Sequence, residues 1–134
     1  MEVFKADKLK KIGANSFGCS FKEGTDELNF DSLTKLGHSS FDMINAKKIG
    51  FKRLKIIPYD CNLYETEELI FESALEMRGN AVWNNKCLKK LLAPKVKRMY
   101  GGNVRQNDLL QDVDFESLEC LSFNDISSNN SLKK

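Results

Sequence analysis

The chain has 134 residues, a formal net charge of +2, 41% hydrophobic residues and 30% charged ones. That length suits one domain, and that balance excludes a wholly disordered chain. No apolar run approaches the roughly 18 residues of a membrane span. The opening MEVFKADKLKKIG has no apolar stretch of a secretion signal, so the expected location is the cytoplasm.

Cys19, Cys61, Cys87 and Cys120 form no C-x-x-C pair, and His38 is the single histidine. Such scattered residues are read as reduced core cysteines rather than as a zinc site. Charge is segregated along the chain. Residues 1–59 sum to +4, 60–79 to −5, 80–105 to +7 and 106–134 to −4. Two readings follow: a polyanion-binding strip beside an acidic site, or blocks that pair with one another in the fold.

In chain order, Glu2–Lys5 is expected to be a strand. Leu9–Ile12 or Asn15–Phe21 is a second, which would make a hairpin. Leu28, Phe30, Leu33 and Leu36 approximate a helical stripe, predicting a helix over 27–36 that stops at Gly37. Ser39 or Ser40 caps a second helix, with Phe41, Met43 and Ile44 buried, closing at Ile49-Gly50. The two read as packing helices, with a weaker helix-turn-helix alternative. Phe51–Ile57 is a strand stopped by Pro58. Asn62 and Glu65 fit a capping box for a helix to about Arg78, with Gly79 following its end. That helix carries a stripe of Glu65, Glu68, Glu72 and Glu76, read as a solvated face or as the source of one metal ligand.

Gly79–Asn85 is expected to be irregular, and Lys86–Leu92 a short amphipathic helix broken by Pro94. Lys86, Lys89, Lys90, Lys95, Lys97, Arg98 and Arg105 are the candidate phosphate contacts for DNA or RNA, or else a linker docking on the chain's own acids. The expected organisation is a domain over 1–85, a basic helix and linker over 86–105, an acidic-apolar segment over 106–123 packing back, and a disordered tail over 124–134. No internal repeat is read.

The expected order of strand, strand, helix, helix, strand, helix and exit resembles the GIY-YIG endonuclease superfamily, in its phage homing-endonuclease form. The residues that carry the likeness are His38-Ser39-Ser40, Ile57-Pro58-Tyr59, Glu68 and Trp83-Asn84, with Glu68 and Asn84 sixteen residues apart. The resemblance implies an α/β fold, a small mixed or antiparallel three-stranded sheet flanked by helices. It also implies Mg²⁺ on Glu68, Asn84 ordering the site, and metal-dependent phosphodiester cleavage.

The chain departs from the family pattern. Glu2-Val3-Phe4 and Lys11-Ile12-Gly13 stand where the family has Gly-Ile-Tyr and Tyr-Ile-Gly. No arginine precedes Arg53. Lys11 would have to supply charge, and His38, Tyr59 or Tyr64 the base. The alternative implied by those losses is an inactive phage-type regulator or inhibitor that binds nucleic acid or a host protein.

Overall fold

The apolar spacing read above as helical recurs. Leu28-Phe30-Leu33-Leu36 is followed by Ile49-Phe51-Leu54-Ile57, Leu69-Phe71-Ala74-Met77, Leu91-Ala93-Val96-Met99 and Val113-Phe115-Leu118-Leu121. Each set has steps of two, three and three. A step of two belongs to a strand, which turns alternate side chains to one face. The steps of three belong to bends that return the chain to the same interior.

The computed structural model describes residues 2–5, 7–16, 25–40, 46–61, 63 and 65–132. Among these residues there is no helix, only short strands joined by tight corners. The strands are β1 (Glu2–Lys5), β2 (Lys11–Ile12), β3 (Thr25–Phe30), β4 (Lys35–Leu36), β5 (Ala46–Phe51), β6 (Ile56–Ile57) and β7 (Glu68–Phe71). They continue with β8 (Glu76–Met77), β9 (Val82–Trp83), β10 (Lys90–Leu92), β11 (Arg98–Met99), β12 (Val104–Arg105), β13 (Asp112–Asp114) and β14 (Ile126–Ser127).

Every strand pairing is parallel. The long sheet runs β1-β3-β5-β7-β10-β13. A second face holds β2-β4 and β6-β8-β11, and a third holds β9-β12-β14. The described residues therefore form a parallel β-solenoid of six coils. Glu27, Lys48, Glu68, Lys90 and Asp112 share one row of the long sheet, at intervals of 21, 20, 22 and 22 residues. A repeat is present although none was read from the sequence. Each coil leaves its inner face bare until the next covers it.

This overturns the expected α/β fold and the resemblance to the GIY-YIG superfamily, endonuclease included, because that fold needs flanking helices. The segments expected as helices are here β3 to β4, β5, β7 to β8 and β10. Their inward phenylalanines and Ile49 suit a strand, and successive coils bury the leucines between them. The expected hairpin of Glu2–Lys5 with Leu9–Ile12 is not formed: Glu2–Lys5 is a strand, but it pairs β3, while β2 pairs β4. Residues 17–21 of the alternative second strand, Cys19, Phe41, Met43, Ile44, Asn62 and Tyr64 lie outside the described residues. The long sheet crosses the expected boundary at 85/86, and β14 lies in the expected tail.

The interior is a set of ladders. Phe51 stacks between Phe30 (ring centroids 5.5 Å apart) and Phe71 (5.0 Å, interplanar angle 5°). A second ladder is polar. Leu63 N donates to Asn85 Oδ1 at 2.5 Å, Asn85 N to Asn107 Oδ1 at 2.9 Å, and Asn107 N to Asn129 Oδ1 at 3.0 Å. Buried amides that the bend takes out of the sheet are thereby satisfied.

One corner is left-handed in every coil. Asn15, Ser39, Asp60, Asn80, Gly102 and Asn124 have φ of 56, 51, 58, 54, 66 and 57°. Glycine and asparagine adopt that conformation at least cost. Asn84, Gln106 and Ser128 repeat the device at another corner, with φ of 57, 55 and 54°.

Candidate binding surface

The segments beginning at residues 1, 25, 46, 66, 88 and 110 correspond to the six coils. Their net charges are +2, −3, +3, −2, +5 and −5, with the last two lysines outside them. The sign alternates from coil to coil. On the long sheet this becomes a checkerboard. Lys48 Nζ lies 3.6 Å from Glu27 and 3.6 Å from Glu68, and Lys90 lies 4.0 Å from Glu68. Along the adjacent row Lys89 pairs Glu67 at 3.2 Å, and along the far edge Lys52 pairs Asp31 at 3.9 Å. Opposite charges on neighbouring strands are favourable and like charges are not. The second of the two charge readings is therefore the observed one on this face: the blocks pair with each other.

Between those rows lie Asn29, Gly50, Ile70 and Leu92, again one per coil. Gly50 contributes no side chain, so the row has a gap. The resulting recess has a volume of about 280 Å³ and is lined by Glu27, Asn29, Asp31, Lys48, Gly50, Lys52, Ile70 and Glu72. A second recess of about 370 Å³ lies over the start of the same strands, between Lys47, Lys48, Glu67, Glu68, Lys89, Lys90, Gln111 and Asp112. The two share Lys48. Together they make a strip with both charge signs and one aliphatic contact, from Ile70.

The expected catalytic residues are placed apart. Glu68 is on the long sheet, Lys11 is on β2 of the second face, and Asn84 is a left-handed corner residue. The Asn84 backbone amide donates to the Arg105 carbonyl at 3.1 Å. His38 lies in the turn after β4, against Tyr59, with ring centroids 6.0 Å apart. Among the described residues of the expected site, only His38 and Tyr59 come together. Glu68 is flanked by two ammonium groups, an arrangement that does not fit a hard divalent cation. Among the described residues no group of three or more His, Cys, Asp and Glu is arranged to hold a metal ion.

The expected phosphate contacts are wrapped around the solenoid. Lys89 and Lys90 lie at the long sheet, where they pair Glu67 and Glu68. Lys95 is exposed in the turn after β10. Lys97 pairs Glu119 at 3.3 Å, and Lys86 pairs Asp108 at 4.0 Å. Arg98 is on the second face, its pKa raised by a hydrogen bond with Tyr100. Arg105 is on the third face, its guanidinium 5.4 Å from the centre of the Trp83 ring. Of the expected reduced core cysteines, Cys61 is buried, Cys87 is half-buried and Cys120 is exposed.

The recess at Gly50 was missed because Ile49-Gly50 was read as the end of a helix. The signal that finds it is the row itself: once Asn29, Gly50, Ile70 and Leu92 are aligned, glycine is the odd residue. Fold and surface together define a class, a parallel β-solenoid with a charge-paired outer sheet. Compared with known proteins, the chain matches no family model, no curated protein and no solved structure. Among the described residues no helix is long and apolar enough to cross a membrane.

Proposed function

We propose that the chain is a recognition scaffold that binds a protein partner along its long sheet. The observation that carries this reading is the Gly50 recess, a gap rimmed by Lys48, Lys52, Glu27, Asp31 and Glu72 in an otherwise self-paired face. Solenoids of stacked coils present extended surfaces that suit this role, because each coil adds one row of side chains at a fixed spacing. A partner segment carrying both charge signs can exchange ion pairs with the checkerboard, while one side chain enters the recess and meets Ile70. Exposed pairs cost little to open, each being worth about 0–1 kcal/mol.

The test is substitution of the gap. Gly50→Val adds a β-branched side chain to a strand position whose new Cβ would meet only Asn29 Oδ1, at 3.1 Å. A protein partner recovered with the wild-type chain is expected to lose about tenfold or more in affinity for Gly50→Val, with the thermal midpoint unchanged. A Trp83→Ala change on the third face is expected to leave binding intact. Equal binding by Gly50→Val, or loss only in Trp83→Ala, overturns the reading.

A further inference from the structure

The two ends of the solenoid are complementary to each other. Among the described residues β13 is paired only by β10, β1 only by β3 and β2 only by β4. With β14, which is paired only by β12, four open edges therefore lie at the first and last coils among the described residues, all in the same strand sense. In the sixth coil Val113, Phe115, Leu118 and Ile126 occupy the register positions of the fully buried Leu91, Ala93, Val96 and Val104. Their own burial is only partial, although they pack on the core. Leu121, in register with the buried Met99, is 55% exposed. This is the apolar pattern of an interior coil, at a position that no further described strand covers.

We propose that copies of this chain stack head to tail, the sixth coil of one against the first coil of the next. Charge selects this occupant. The sixth coil carries −5 and the first +2, so the junction continues the alternation found between the other coils. Two sixth coils face to face would instead set −5 against −5. The register also has a residue-level consequence. Backbone bonds place Thr34 beside Lys10, Leu75 beside Lys55, Lys97 beside Leu75 and Glu119 beside Lys97. One further step along that row brings the next copy's Lys10 beside Glu119. The junction thus repeats the Lys97–Glu119 ion pair of 3.3 Å. Such a contact is heterologous, so it generates an open row of copies rather than a closed dimer.

Sedimentation velocity on the full chain tests this, at low ionic strength and over a range of concentrations. The weight-average mass is expected to rise without a plateau. Lys10→Glu and Glu119→Lys, both at exposed positions, are each expected to weaken association about tenfold. An equimolar mixture of the two variants is expected to restore it, since each tail then meets a head of opposite sign. Three results overturn the proposal: a monomer at every concentration, a plateau at dimer mass insensitive to Lys10→Glu, or a mixture no better associated than its components. Thermal melts of both variants show whether they are folded.

Discussion

Asn85 and Asn107 stand one coil apart, and the backbone amide of Asn85 donates to Asn107 Oδ1 over 2.9 Å. The same Asn107 side chain donates from Nδ2 to the Val82 carbonyl at 3.0 Å. One buried amide therefore satisfies a donor and an acceptor of the preceding coil. Asn107→Ala leaves the Asn85 amide without a partner and takes one bond from the Val82 carbonyl, which stays in the β9–β12 ladder. The expected cost is about 1–3 kcal/mol, that of one buried group left unpaired. Asn130, whose side chain bonds Asp108 at the surface, serves as the control: Asn130→Ala is expected to change stability by about 0.5 kcal/mol or less. Urea denaturation reads both. Equal effects would mean that the ladder is not what holds this corner.

The left-handed corner gives a second expectation. Asn80 has φ of 54°, and its Oδ1 lies 3.0 Å from where a Cβ on Gly102 would sit. Asn80→Gly is expected to be neutral or slightly stabilising, because glycine adopts positive φ without strain. Asn80→Val is expected to lose about 1–3 kcal/mol, because a β-branched side chain is strained there. The thermal midpoints of the two variants should fall in that order, and the reverse order would remove the corner from the account of the fold.

The checkerboard predicts an effect that depends on salt. Lys48 is bonded to acids of both neighbouring coils. Lys48→Glu places three acids side by side, at an expected cost of about 1–2 kcal/mol in low salt. Because the side chains are exposed to solvent, much of that loss is expected to disappear at about 1 M salt, where charges are screened within a few ångströms. Lys48→Met should lose about 0.5 kcal/mol and show little salt dependence. A Lys48→Glu loss that salt does not relieve would point to packing instead.

Part of this was legible in the sequence and part was not. The strand over Glu2–Lys5 and the strand end before Pro58 were read correctly because each depends on a few adjacent residues, although the expected strand over Phe51–Ile57 is broken into the end of β5 and β6. The charge blocks were also visible, and one of their two readings, mutual pairing, is what the long sheet shows. The helices were misread for a definite reason. Leu28, Phe30, Leu33 and Leu36 are spaced almost as a helix face would be, and a window of ten residues cannot tell a helix from a strand, a bend and another strand. The distinction lies at twenty to twenty-two residues, where an apolar set with the same steps of two, three and three returns. Glu68 was singled out by its distance from Pro58 and Asn84, but those distances are counted along a chain that here winds around an axis. Residues sixteen apart fall on different faces, and residues twenty to twenty-two apart touch.

The alternating sign of the coils also restricts how a solenoid of this kind can change length. Removing one coil sets like beside like: without the fourth, +3 meets +5, and without the fifth, −2 meets −5. Removing the fourth and fifth together sets +3 beside −5 and leaves every neighbour opposite in sign. The natural unit of growth is therefore a pair of coils, twice the repeat that the backbone defines.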